Sequence, residues 1–149
     1  MSEVNKTVAG VAGSDAWSRH LGMEIVDISA DGITARLDAG PRHHQPYGLL
    51  HGGVYCSIVE AAASYASGFV ARNRGHRGTL GVSNQTDFLR SHASGWLAIE
   101  GRPLHLGRRQ HLFEVSIRRE SDGALVARGQ VRFQILDELP AERASAPGE

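Results

Sequence analysis

The sequence predicts an α+β fold in which a curved antiparallel sheet of about six strands wraps one long central helix. Two observations lead to this prediction. An apolar repeat at helical spacing runs from Gly52 to about Arg72 and is apolar on nearly every side, which is typical of a helix enclosed by other structure. Two segments before it and four after it alternate apolar and polar residues, as antiparallel strands with one covered face do. A sheet curled around the helix buries it most economically.

Composition indicates a soluble globular domain. Its 149 residues suffice for a proper core, and the 41% hydrophobic and 21% charged residues are close to the globular average. The 16 basic and 16 acidic residues cancel, which disfavours nucleic acid or a membrane as the main partner. Cys56 is the single cysteine, so no disulfide forms within the chain. Neither a signal peptide nor an apolar run near the ~20 residues of a membrane span is expected, and we predict a cytoplasmic protein.

The two ends of the chain set the predicted domain boundaries. Residues 1–13 are small and polar, and residues 138–149 mix proline, alanine and charge, so both are expected to be flexible tails. The sequence between them shows no repeat or linker. One domain is therefore predicted over 14–137.

A short helix and a hairpin are predicted at the start of this domain. Ser14 is a possible N-cap of a helix that stops at Gly22. The segments MEIVDIS and ITARLDA then flank the pair Asp31-Gly32, which suits the positive φ angles of a tight turn.

The part after the long helix reads as four strands. Breaks of Gly, Ser or Asp-Gly separate the segments LGVSNQTDFLR, GWLAIEGRPLHL, RQHLFEVSIRRE and ALVARGQVRFQIL. Phe113, Val115 and Ile117 alternate with polar residues, and Asp122-Gly123 is a second hairpin signal. Before the long helix, the segment PRHHQPYG has the prolines and glycine of a loop.

Glu60 is the only charged side chain between Gly52 and Ala71. A buried, unpaired charge is costly, so this glutamate either lies at a helix edge, solvated or paired with an arginine, or serves chemistry. Cys56 lies one turn earlier and Ser64 one turn later, so the three share a stripe. Because the helix is apolar on every side, the functional interpretation is favoured.

The segment LLHGG precedes the helix. Gly52 and Gly53 let the backbone approach a ligand, and the first N–H groups of a helix are unpaired donors at its positive end. Such a terminus can hold an anion or polarise a carbonyl. Gly52 and Glu60 lie about 12 Å apart along a helix, too far for one straight helix to bring both to one carbonyl. We therefore predict a two-fold dimer whose sites are shared between chains.

Other candidate sites are weaker. The histidines near this loop lack a metal-binding spacing, and Cys56 is interpreted as a packed small residue. No GxSxG, Walker or GxGxxG motif occurs. Arg90, Arg108 and Arg109 could bind phosphates, or they could be ordinary solvated arginines.

The stretch QPYGLLHGGVYCSIVEAAAS, residues 45–64, resembles the hot-dog-fold acyl-CoA thioesterases. Its Gln, His-Gly-Gly, Glu and Ser stand at the spacing of that family. The most similar branch contains the 4-hydroxybenzoyl-CoA, phenylacetate-pathway and 1,4-dihydroxy-2-naphthoyl-CoA thioesterases, and the resemblance covers about residues 14–137. It implies hydrolysis of an acyl-CoA, an aromatic one by this branch, to a carboxylic acid and CoA. No cofactor or metal is implied, and the chain would form a homodimer or homotetramer.

The same resemblance assigns roles to single residues. The Gly52 N–H would polarise the thioester carbonyl, assisted by the Gln45 side chain, while His51 would orient the loop. Glu60 of the other subunit would act as nucleophile or as general base, and Ser64 would hold the water or Glu60. Candidate contacts to CoA are Arg90, Arg108, Arg109 and Gly53.

Two alternatives stay open at this point. One is a hot-dog-fold hydratase or dehydratase acting on an acyl-CoA, which usually needs a histidine with an acidic partner for proton transfer. The other is a non-catalytic module that binds acyl-CoA. The set Gln45, His51, Gly52 and Glu60 favours thioester attack over both.

Overall fold

The structure is a computed structural model that describes residues 15–140. This range contains two α-helices, a short 3-10 turn at Pro41–His43 and six strands. The helices are α1 (Ala16–Leu21) and α2 (Gly52–Asn73), and the strands are β1 (Met23–Ser29), β2 (Gly32–Ala39), β3 (Gly78–Phe88), β4 (Gly95–Leu106), β5 (Gln110–Arg119) and β6 (Leu125–Leu136). The predicted order of two strands, one long helix and four strands is confirmed.

One antiparallel sheet contains all six strands, in the order β1-β2-β4-β5-β6-β3. The strand that follows α2 crosses to the far edge and pairs with β6, so β1 and β3 are the two edges of a sheet that does not close. Helix α2 lies across one face and contacts every strand. This is the hot-dog fold, as the sequence predicted.

The predicted alternation places the core between α2 and the sheet. On β2, Ile33, Ala35 and Leu37 are buried, while Thr34 and Arg36 are exposed. Burying each large apolar side chain contributes roughly 1.5–3 kcal/mol. The largest fully buried apolar side chains come from α2 and from strands β2, β4, β5 and β6, and they are Phe113, Phe133, Leu37, Ile58, Leu97, Ile99 and Ile117.

Helix α2 is longer and more apolar than predicted, since the sequence was expected to contain no apolar run near the length of a membrane span. It has 22 residues, and an 18-residue window within it has a mean hydropathy of 1.2, which meets the length and composition of a membrane-crossing helix. However, 67% of that window is buried within the protein. Its apolar surface is therefore covered by the chain's own sheet, which is the enclosure that the sequence predicted.

The start of α1 differs from the prediction. Ser14 lies outside the described residues, and the N-cap of α1 is Asp15, whose Oδ1 accepts from Trp17 N at 3.0 Å and Ser18 N at 3.2 Å. The helix thus starts one residue later than predicted. The tail at 1–13 and most of the tail at 138–149 also lie outside the described residues.

In the first hairpin, only one of the two predicted turn residues has a positive φ. The turn consists of Ala30 and Asp31, and Gly32 already belongs to β2, where it pairs with Ser29. Gly32 has φ 149°, and a Cβ there would lie 2.1 Å from the carbonyl oxygen of Gly101. Glycine is therefore required at this position by close strand packing, whereas Asp31 keeps a negative φ.

Candidate active site

The start of α2 presents a backbone donor that has no partner among the described residues. His51 is the N-cap, and its Nδ1 accepts the Gly53 N–H at 2.9 Å. The backbone N–H of His51 donates to His43 O at 2.9 Å. Among residues 15–140, nothing accepts a hydrogen bond from the Gly52 N–H. Gly53 therefore helps to cap the helix, and Gly52 is left as the donor at the positive end of its dipole.

Gln45 lies in the same cleft as Gly52. This cleft has a volume of about 370 Å³. The Gln45 Oε1 accepts from the backbone N–H of Tyr47, so its Nε2 is directed to the other side of the amide and can donate elsewhere. The loop is closed by hydrogen bonds from Gln45 N to Leu49 O, 2.8 Å, and from Gly48 N to Gln45 O, 3.0 Å. We call this region, which contains Gln45 and Gly52, the donor cleft.

Aromatic side chains form one wall of the donor cleft. Tyr55 and Phe88 both line it, with ring centroids 5.7 Å apart. A Cβ at Gly52 would lie 2.6 Å from the Phe88 ring, so Gly52 is needed for packing within its own chain. Burial raises the pKa of the Tyr55 hydroxyl above its usual 10.0, with Arg119 opposing this shift. The wall of the cleft is therefore neutral and largely apolar.

Glu60 lies in a different cleft, with a volume of about 430 Å³. Cys56 and Ser64 line the same cleft, as their shared stripe on the helix predicted. Glu60 is half-buried. Within the described part of the chain, no basic side chain forms an ion pair with it. We call this region the carboxylate cleft.

Strand β3 supplies the contacts of the Glu60 carboxylate. Asn84 Nδ2 donates to Glu60 Oε2 at 2.9 Å and to Cys56 O at 3.1 Å. Thr86 Oγ1 donates to Asn84 Oδ1 at 2.7 Å. A Cβ at Gly81 would lie 2.4 Å from Glu60 Oε1. Sequence reasoning missed these residues, although an Asn and a Thr two apart share one face of a strand.

Trp17 lines both the carboxylate cleft and a third cleft of about 470 Å³. It is 56% exposed and stacks on His20 at 5.6 Å. Helix α1 is fixed to α2 because Tyr65 Oη donates to Asp15 Oδ2 at 2.9 Å. His51 lies in the third cleft. An exposed indole is thus held beside the carboxylate cleft, which the sequence did not predict.

The three predicted arginine contacts lie in two places. Arg90 lines the donor cleft, where its Nη1 donates to Leu125 O at 2.8 Å. Arg108 and Arg109 are exposed in the β4–β5 turn and line neither the donor cleft nor the carboxylate cleft of their own chain. Of these three arginines, only Arg90 therefore lies in the same cleft as the predicted hydrogen-bond donors Gln45 and Gly52.

The fold and these clefts define a hot-dog protein whose central helix begins at a backbone donor, Gly52, with no partner among the described residues, and carries a carboxylate, Glu60, near its middle. The family model described as Thioesterase superfamily matches residues 47–126, more than half of the chain. The chain belongs to the thioesterase superfamily.

Three relatives illustrate this membership. A Mycobacterium tuberculosis protein provisionally named an esterase is 44% identical over 125 residues, covering 83% of this chain and 89% of that protein. Its solved structure has a TM-score of 0.80 at 40% identity, covering 85% of this chain and 100% of that one. The proofreading thioesterase EntH of Klebsiella pneumoniae is 30% identical over 77% of this chain and 82% of its own length. A Haemophilus influenzae thioesterase structure has a TM-score of 0.80 at 25% identity, covering 91% and 92% of the two chains. These names support thioester hydrolase activity.

Proposed function

We propose that this protein is an acyl-CoA thioesterase that hydrolyses an aromatic acyl-CoA, with Glu60 as nucleophile or general base and the Gly52 N–H as oxyanion donor. The observation that carries this proposal is the orientation of Glu60. Its carboxylate has no basic partner among the described residues, yet it is held by Asn84 in an open cleft. A carboxylate held ready in this way is suited to activate water or to attack a carbonyl.

The donor cleft would stabilise the charge that develops on the thioester oxygen. The Gly52 N–H is unpaired among the described residues, and the Gln45 amide is oriented by Tyr47 N. Two preorganised donors at one oxygen form an oxyanion hole, in which each donor contributes about 3–4 kcal/mol where this has been measured. Arg90 in the same cleft is a candidate contact for the CoA phosphates.

The hydrolysis balances with one water molecule. In the general-base route, Glu60 takes a proton from water, the hydroxyl adds to the carbonyl carbon, and the C–S bond breaks to release CoA thiolate, which takes up the proton. In the nucleophilic route, Glu60 forms a mixed anhydride and releases CoA, and water then hydrolyses the anhydride. Ser64, one turn away, would hold the water or Glu60. A single turnover in ¹⁸O water tests the nucleophilic route, because label found in Glu60 requires an anhydride that water opens at the glutamyl carbon.

A shared site would bring the two clefts to one carbonyl. Within one chain, Gly52 and Glu60 are about 12 Å apart along α2. Strand β3 is a sheet edge on which Leu80, Val82 and Phe88 are 52%, 54% and 54% exposed. An exposed, apolar edge strand is suited to pairing with a second chain. We therefore propose that two chains pair along β3 about a two-fold axis.

Strand β3 runs from one cleft to the other, which gives this dimer its geometry. Gly81 lies beside Glu60, and Phe88 lies beside Gly52. In an antiparallel β3 pair with the axis near the middle of the strand, Gly81 faces Phe88 of the partner subunit. Glu60 then approaches Gly52 of the partner subunit, so that each site combines one carboxylate cleft with one donor cleft.

An aromatic acyl group is supported by the exposed indole of Trp17 on the wall of the carboxylate cleft. Stacking of aromatic rings adds about 0.5–1.5 kcal/mol beyond the burial of their area. A thiol-release assay across aryl-CoA and alkyl-CoA esters tests this preference. Hydrolysis of alkyl esters alone would contradict it.

Glu60→Gln is the central test of the proposed function. The variant removes the base or nucleophile but keeps the size of the side chain, so kcat should fall by about 100-fold or more. Circular dichroism and thermal unfolding should match the wild type, since an uncharged amide fits the same space. Near wild-type thiol release by a folded Glu60→Gln protein would contradict the assignment.

Mixing two inactive variants tests the shared site. Glu60→Gln chains and Gln45→Ala chains are refolded together. In a mixed dimer one site carries both changes and the other carries neither, so about a quarter of wild-type activity should return in a random mixture. No recovery in a mixture shown to contain mixed dimers, or an active monomer in the ultracentrifuge, would contradict the dimer.

A further inference from the structure

We infer that Asn84 and Thr86 of β3 are positioning residues that fix the Glu60 carboxylate for catalysis. This inference rests on the proposed role of Glu60. It is carried by three hydrogen bonds that link the strand to the helix: Thr86 to Asn84, Asn84 to Glu60, and Asn84 to the backbone of Cys56.

The hydroxyl of Thr86 determines which way the Asn84 amide faces. Thr86 Oγ1 donates to Asn84 Oδ1 at 2.7 Å, so the NH₂ group is directed towards α2. There it donates to the Cys56 carbonyl at 3.1 Å as well as to Glu60 Oε2 at 2.9 Å. A flipped amide would place a carbonyl oxygen against a carboxylate oxygen and a backbone oxygen, and it would lose both bonds. The three contacts therefore hold one rotamer of Asn84.

An irregularity in β3 places these residues opposite Glu60. The pairing of β3 with β6 shifts between Gly81 and Ser83, as in a β-bulge. Bulges commonly redirect side chains next to functional sites. Beyond the bulge, Asn84 and Thr86 share the face of β3 that packs against α2, while Gly81 leaves space for Glu60 Oε1. One oxygen is thus held by an amide, and the other lies over a position without a side chain.

A neutral donor bound to one carboxylate oxygen limits rotation of the group without neutralising it. Glu60 has three rotatable side-chain bonds, and fixing its end removes misdirected conformers before substrate binds. The other oxygen, Oε1, then remains to take a proton from water or to attack the thioester. Asn84 is exposed and lies on the edge strand β3, along which the proposed second chain would pair, so its contact with Glu60 would also link the strand edge to catalysis.

The test compares three substitutions with a control on the same strand. Asn84→Ala removes the donor, and Asn84→Asp keeps the shape and the Thr86 bond but replaces the donor by an acceptor. Both should lower kcat about tenfold or more, because hydrogen bonds to charged groups are the stronger ones, with KM nearly unchanged. Thr86→Val should lower kcat less than the Asn84 variants do, and it should cause no further loss of kcat in the Asn84→Ala background. Gln85→Ala, on the opposite face of β3, is the matched control and should keep wild-type kcat.

The outcomes separate this inference from the proposed function. In the Glu60→Gln background, Asn84→Ala should cause no further loss. A fully active Asn84→Asp variant would overturn the positioning role while leaving Glu60 in place, provided Glu60→Gln is inactive. An effect of Thr86→Val that persists in the Asn84→Ala background would overturn the role of Thr86. An active Glu60→Gln protein would remove the proposed function itself.

Discussion

Replacing Gly81 by alanine would test how closely the structure fixes the Glu60 carboxylate. A Cβ on Gly81 would lie 2.4 Å from Glu60 Oε1 and 3.5 Å from its Cδ, whereas ordinary contacts begin at 3.4 Å. The oxygen must therefore move by about 1 Å, and a misplacement of this size can lower a rate about 100-fold. We expect kcat of Gly81→Ala to fall by about that factor.

The same substitution should leave the fold intact. The contacting atom is the end of a flexible side chain, which can rotate away, and alanine restricts the unfolded chain more than glycine does, by roughly 0.4–1 kcal/mol. The melting temperature should thus stay equal or rise slightly. Gly78→Ala on the same strand is the matched control, because its Cβ would meet only Leu139 Cδ2 at 3.4 Å. It should change neither activity nor association.

The assay is thiol release from an aryl-CoA by wild type, Gly81→Ala, Glu60→Asp and the double variant. The shorter aspartate no longer reaches the space above residue 81, so Gly81→Ala should cost little activity in the Glu60→Asp background. A stable, dimeric Gly81→Ala protein with wild-type kcat would refute the reasoning. An equal loss of kcat in the wild-type and Glu60→Asp backgrounds would refute it as well, since the loss would then not be caused by displacement of the Glu60 carboxylate.

Two further predictions concern stability. Burial lowers the pKa of His111 below its usual 6.5, aided by Arg74 and the neighbouring histidines, so the unfolded chain binds a proton that the folded chain does not. The free energy of unfolding should therefore fall as the pH decreases through 6.5, by up to about 1.4 kcal/mol per pH unit. Urea unfolding at pH 7.5 and 5.5 measures this change. The His111→Gln variant should show a smaller dependence of the free energy of unfolding on pH. Asp15→Ala removes both the N-cap of α1 and the acceptor of Tyr65, and should lower the free energy of unfolding by about 1–2 kcal/mol. Tyr65→Phe, which keeps the cap, should cost less in the same measurement, and equal losses would contradict the role of the cap.

The sequence predicted those features that depend on neighbours along the chain. The alternation at Phe113, Val115 and Ile117 identified a strand and its buried face, and the helical spacing around Glu60 gave α2 nearly to its ends. The stripe of Cys56, Glu60 and Ser64 also follows from the helical period alone, and the structure places all three in one cleft. Local periodicity was sufficient in each case.

Features that depend on distant neighbours were not predictable in this way. Asn84 is 24 residues from Glu60, and nothing in the strand pattern indicates which residue of the helix it meets. The glycine at position 32 was assigned to a turn, whereas the carbonyl of Gly101 on β4 is what requires it. The start of α1 shifted by one residue because the Asp15 carboxylate caps the helix and also accepts from Tyr65 on α2. In all three cases a contact across the fold decides the outcome.

Strand β3 determines the geometry of both clefts, although the motif that first indicated the function lies on α2. Phe88 packs against Gly52 at the donor cleft, and Gly81 with Asn84 receives Glu60 at the carboxylate cleft. The same strand is the exposed edge along which a second chain would pair. Any change that shifts β3 would therefore alter the Glu60 carboxylate, the proposed oxyanion donor Gly52 and the proposed dimer together. For this reason substitutions on β3 have to be assessed by association as well as by rate, since a loss of kcat alone does not identify which of the three has moved.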